Sequence, residues 1–217
     1  MSARPFETDQ AAGLRQLFAN QPKCVIAGFI CTSRTPQTPG VIRDIAIEIS
    51  KLGLQCALVD EQPLDAEGQT LSKQAADSGI KTISRPKGSG PDGDWNITQN
   101  ADYVLVDAYP SITSAIHKAD ILIIVEQAPL ESGETIRKIT RATKRLADKT
   151  ALLLTHPEDK KAALTARLDI ERISEEETGK KISWLGAVST KKAAGEAAAS
   201  SVAKKLTLWG EKAAAES

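Results

Sequence analysis

Apolar positions along the chain fall into two alternating kinds of run. Short apolar stretches predict strands at Cys24–Cys31, Gln55–Asp60, Lys81–Ser84, Tyr103–Asp107, Ile121–Glu126, Ala151–Thr155 and Ile182–Val188. Two of these, Ile121-Leu-Ile-Ile-Val125 and Ala151-Leu-Leu-Leu154, are apolar at every position. Strands that are buried on both faces read this way. Longer stretches with helical spacing separate them, at Gly40–Leu52, Ala66–Ser78, Ser111–Lys118, Glu131–Ala147, Lys160–Thr178 and Lys192–Trp209. The alternation predicts an α/β fold: a single, doubly wound, mainly parallel sheet with right-handed crossovers.

Two segments stand outside that rhythm. Pro86–Asp94 has the composition of an exposed loop. Residues 1–20 precede the first strand and are read as an N-terminal helical arm, leaving 21–217 as the α/β domain. The arm holds one short helix, about Asp9 to Ala19, with Thr8 or Asp9 as its N-cap. Leu14, Leu17 and Phe18 share one face of it. At the other end, Ala193–Lys212 carries Val202, Leu206 and Trp209 on one stripe, with Lys204, Lys205 and Lys212 nearby. With so few large apolar residues its membrane affinity is expected to be marginal, and packing onto the sheet is its expected role.

Composition removes several function classes. Lysine plus arginine and aspartate plus glutamate each number 28 in 217 residues. That zero balance argues against a nucleic-acid partner. No signal peptide or membrane-length apolar run is present, so a cytoplasmic protein is expected, peripheral to the membrane only through partners. Cys24, Cys31 and Cys56 lie in strand-like runs and are read as buried, reduced thiols. His117 and His156 stand apart from any cysteine, which leaves a zinc site without support. Trp184 is read as core, and the charges of 160–181 as a solvated helix face.

Open parallel sheets bind ligands at the carboxyl ends of their strands. Those ends carry Thr32–Pro39, Asp60-Glu61-Gln62 and Asp107-Ala-Tyr-Pro-Ser111. A loop, then a carboxylate, then an Asp-x-x-Pro is the layout of a magnesium–nucleotide site. The loop itself lacks the chemistry of such a site. A phosphate cradle needs glycines, so that backbone N–H groups can converge, and a lysine for the β/γ charge. No lysine stands between Lys23 and Lys51, and Pro36 and Pro39 have no N–H to offer. Thr38-Pro39 makes a good helix start, whose N–H groups at Gly40 and Val41 face outward as a weak anion site.

These residues resemble the MinD/ParA group of deviant P-loop ATPases, and within it the flagellar-number regulator FlhG (YlxH). Asp9-Gln-Ala-Ala-Gly-Leu-Arg15 matches that regulator's N-terminal Asp-Gln-Ala-x-x-Leu-Arg motif and stands just before the first strand. Val59-Asp60-Glu61 resembles the first switch, and Val104-Leu-Val-Asp107-Ala-Tyr-Pro110 the Asp-Thr-x-Pro segment. The likeness of layout spans about residues 7–190.

The departures fall on the phosphate loop. Counting back from Leu52-Gly53, the group's Lys-Gly-Gly-x-Gly-Lys-Thr lands on Ser33-Arg34-Thr35-Pro36-Gln37-Thr38-Pro39. Ser33 then replaces the signature lysine, Thr38 the P-loop lysine and Pro39 the metal-binding threonine. The second switch acid falls on Gln62. Ser33, Thr38, Asp60 and Asp107 are thus the vestigial nucleotide site, with no catalytic residue and no resident metal or cofactor expected. Residual ATP and magnesium binding stays open, as does a plain capping role for Asp60 and Asp107. What the resemblance implies is a pseudo-ATPase regulating flagellar number or placement. Its partner would be an FlhF-like, SRP-type GTPase, with flagellar basal-body components as further partners. Asp9, Gln10, Leu14 and Arg15 would touch the GTPase, the glutamine orienting water and the arginine offsetting charge or anchoring the helix. Two alternatives remain: an ATPase with an atypical loop, and a non-enzymatic assembly scaffold.

Overall fold

The computed structural model describes residues 24–32, 38–60, 80–84, 101–108, 119–130, 133–157, 159–189 and 192–215. Seven strands form one sheet: β1 (Val25–Cys31), β2 (Cys56–Asp60), β3 (Lys81–Ser84), β4 (Tyr103–Asp107), β5 (Ile121–Gln127), β6 (Thr150–Thr155) and β7 (Ser183–Val188). Their order is β3-β2-β4-β1-β5-β6-β7, and every neighbouring pair is parallel. All seven strands coincide with apolar runs in the sequence. The described helices are α1 (Thr38–Lys51), α2 (Gly133–Ala142), α3 (Lys160–Thr178) and α4 (Lys192–Ala215), with a 3-10 turn at Lys144–Lys149 between α2 and β6. The arm (1–20), the helical patterns at 66–78 and 111–118 and the loop at 86–94 lie outside the described residues.

Each helix covers the sheet with one stripe. Ile42, Ile45, Ala46 and Ile49 of α1 are fully or almost fully buried, as are Ala199, Val202, Ala203 and Leu206 of α4. These i, i+3, i+4, i+7 sets pack with Phe29, Leu58, Leu105 and Ile123 into one core. Ala166, Ile170 and Ile173 of α3 join Ile136 and Ile139 of α2 over Ile30, Ile124, Leu152 and Leu154 on the opposite face. Side chains alternate across a strand, so β1 feeds both cores. The expected docking of the C-terminal helix onto the sheet is observed.

The amino end of the sheet is fastened by two aspartates. Asp102 accepts the Gln55 N–H at 2.7 Å and returns its own N–H to the Gln55 carbonyl at 2.8 Å. Asp120 accepts from Ile26 at 2.9 Å and donates to the Ile26 carbonyl at 2.8 Å. Each satisfies a strand-opening amide that has no ladder partner.

Three details differ from the sequence pattern. The predicted helix Glu131–Ala147 stops at Ala142. There the Thr143 N–H closes the last helical bond on the Ile139 carbonyl at 2.9 Å, its hydroxyl adds a second bond to the same oxygen at 3.0 Å, and the chain tightens into the 3-10 turn. The last helix runs on past Trp209 through Gly210, a residue that in sequence resembles a stop. Trp184 is half-buried at the rim, with the Arg167 guanidinium 5.1 Å above its ring.

Candidate functional site at the carboxyl edge of the sheet

The carboxyl ends of β1, β2 and β4 bring the predicted acids side by side. Asp60 stands in register with Asp107, and Asp107 with Phe29 of β1. Asp107 is fully buried, on the sheet face it shares with Leu105 and Phe29, the face that α1 covers. β1 gives way to its loop at Thr32, which is tied to β5: its N–H donates to the Val125 carbonyl at 3.1 Å, its hydroxyl to the same oxygen at 3.4 Å. The chain re-enters at Thr38, the first residue of α1 and 2% exposed. Helix 1 therefore starts two residues earlier than its apolar pattern, since Pro39 fits a first turn, where an N–H has no partner to lose.

Asp107 and the Asp60 backbone thus lie together at the strand ends. Ser33 lies outside the described residues, as do Asp9, Gln10, Leu14 and Arg15. The charged side chains of α1 itself are paired with one another. Arg43, in its second turn, is committed to Asp44 at 2.7 Å, and Lys51 closes the far end on Glu48. Among the described residues no group of three or more histidine, cysteine or acidic side chains converges as a metal site. The donor set described at the start of α1 supplies hydroxyl and carboxylate but no cation for a triphosphate.

Further polar groups at this edge are absent from the sequence prediction. Glu126, 6% exposed, is the penultimate residue of β5, and its Oε1 accepts the Gln127 N–H at 2.9 Å. The hydroxyl of Thr155, at the end of β6, donates to the Glu126 carbonyl at 3.3 Å. His156 follows with φ 57°, its N–H donating to the Val188 carbonyl at 3.1 Å. Burial holds its imidazole below the usual histidine range, and its buried Nε2 has no hydrogen-bond partner. The signal for these residues was present: each follows an unbroken apolar strand, as Asp60 and Asp107 do.

The cysteines take no part. Cys31 and Cys56 are buried and Cys24 half-buried, and none of the three is in a disulfide. Burial pushes Cys24 up to about 11 and Cys56 up to about 12, which keeps both protonated at neutral pH.

A parallel sheet with β1 at its centre and an acid ending β4 beside the loop of β1 is the architecture of the P-loop nucleoside triphosphatases. Within that class the fold is that of the MinD/ParA ATPases. The chain is similar to the MinD cell division protein of Aquifex aeolicus at 16% identity and TM-score 0.58, covering 85% of this chain and 97% of that one. It is similar to a ParA family ATPase of Chlorobium tepidum at 15% identity and TM-score 0.52, covering 86% and 93%. Helicobacter pylori HypB, solved in complex with nickel, is similar at 11% identity and TM-score 0.58, covering 94% of each. No protein-family model matches the chain, and no curated protein does. At these identities the likeness defines the fold.

Proposed function

We propose that the chain is a regulator of the FlhG kind, which controls flagellar number or placement without hydrolysing ATP. The observation that carries this reading is Asp9-Gln-Ala-Ala-Gly-Leu-Arg15, placed immediately before the first strand of a MinD/ParA-type fold. In this reading the arm docks on an SRP-type, FlhF-like GTPase. Gln10 orients the attacking water, and Arg15 offsets developing charge or anchors the helix. The loss of hydrolysis is supported by the stretch between Lys23 and Lys51, which has no lysine, and by the engagement of Arg43 with Asp44. The test is GTP turnover by the flagellar SRP-type GTPase with the full chain and with its Gln10→Ala variant. Stimulation by the former and its loss in the latter are expected. Equal stimulation by both would remove the arm from the mechanism.

A second reading, an ATP-binding switch, draws on Asp107, buried beside the start of α1 where a metal-water acid would stand. Calorimetry with Mg-ATP separates the two. Strong heat that disappears in Asp107→Ala supports the switch, whereas a flat trace supports the pseudo-ATPase.

A further inference from the structure

Among the described residues β7 forms one edge of the sheet, beyond β6. Four of its six residues, Ser183, Trp184, Gly186 and Ala187, are half-exposed. The strand Ser183-Trp-Leu-Gly-Ala-Val188 carries no charge and no proline. An edge of that composition offers a row of N–H and C=O groups as a template for another strand. In any solution of this protein, the strand always available to it is the β7 of a second copy.

Two features spoil the template. Leu152 stands opposite Trp184 and Leu153 opposite Gly186, so Leu185 has no counterpart on β6. The strand is bulged there, which bends the edge out of line. The carbonyl of this extra residue is then taken by a side chain: Lys205, exposed on α4, donates from Nζ to the Leu185 oxygen at 3.0 Å. The reach is short because α4 lies close on the strand, where a Cβ on Gly186 would come within 2.9 Å of Val202. A charged donor makes one of the stronger hydrogen bonds. It also sets an ammonium at the middle of the edge, which an incoming strand would have to desolvate. The flanks carry the same sign, with Lys180 and Lys181 before the strand and Lys191 and Lys192 after it. Two β7 strands therefore bring lysine against lysine whether they pair parallel or antiparallel.

We propose that Lys205 is a guard on the edge of the sheet: while its amine holds the Leu185 carbonyl, β7 cannot accept the β7 of a second copy. The lysine of α4 thus keeps two sheets from joining edge to edge.

Hydrogen exchange of the full chain at about 5 and 300 µM, read on the 183–188 amides, tests this. Lys205→Met keeps the length of the side chain and removes the donor and the charge. Its β7 amides should exchange at least about tenfold more slowly at the higher concentration, as edge pairs form. Circular dichroism should be unchanged at the lower concentration, because Lys205 is exposed. Wild type, Lys205→Arg and Lys204→Met, which removes the same charge from the neighbouring exposed position, should exchange equally at both concentrations. Concentration-independent exchange in Lys205→Met, or association that leaves its β7 amides unprotected, would overturn the proposal. So would the same protection in wild type, in Lys205→Arg or in Lys204→Met.

Discussion

At the scale of single residues, several positions are fixed by one contact each. The Tyr103 hydroxyl donates to the Thr207 carbonyl at 3.0 Å and occupies the space where a Cβ on Gly210 would lie. Gly210→Ala should therefore lower stability by about 2 kcal/mol in a denaturant titration, although alanine is the better helix former. Tyr103→Phe alone should cost about 1 kcal/mol. Paired with Gly210→Ala, it should recover part of the loss, since the hydroxyl is what the new methyl meets. Asp159 caps α3 by accepting from the Ala162 N–H at 2.7 Å, and Asp159→Ala should cost about 1 kcal/mol. His156 gives a pH signature. Its folded pKa is depressed, so the unfolded chain binds the extra proton as the pH falls through 6.5. Stability is full above that value, declines below it, and levels off once the folded imidazole is protonated too. His156→Asn, which tolerates the left-handed backbone at φ 57°, should flatten that decline in melts taken from pH 8 to 5. These positions also mark what was legible in the sequence. Asp60 and Asp107 were visible because each ends an apolar run with a charge. The role of Gly210 was not legible, because a glycine required by a tyrosine 107 positions away looks the same as one that ends a helix.

At the scale of elements, α2 and α3 are joined by a charge clasp. Arg137 meets Glu177 at 3.0 Å and Glu176 at 2.9 Å, and Arg141 meets Glu177 at 2.6 Å. The Arg141 bond, then that of Arg137, holds the Glu177 carboxyl below the usual glutamate range. Its contribution is present above the ordinary glutamate value and is lost as the pH falls through the folded one. Glu177→Gln should lower the melting temperature at neutral pH in low salt, and the difference from wild type should shrink in 1 M NaCl. The strands were legible because parallel strands buried on both faces cannot hide their apolar continuity. Helix ends were less so: after Ala142 the chain tightens into a 3-10 turn at Lys144–Lys149, a change of hydrogen-bond register that apolar periodicity does not encode. The clasp was equally hidden, because 175–177 reads as three solvated acids until α2 is laid alongside.

At the scale of the whole molecule, fold and chemistry separate. The architecture is shared with proteins named for cell division, for ParA-type ATPases and for a nickel complex, so function rests on local residues. Saturating Mg-ATP should shift the melting temperature by less than about 1 °C in a pseudo-ATPase, because a ligand stabilises only as far as it binds. The central place of β1 has a temporal consequence. Its partners are β4 and β5, with Val25 opposite Tyr103 and Cys31 opposite Val125. During synthesis at about 5–20 residues per second, this greasy ribbon emerges and then waits roughly 5 to 20 s for both neighbours to leave the ribosome. Throughout that interval its edges are open, so a translating ribosome carrying this message is a natural customer for holdase chaperones.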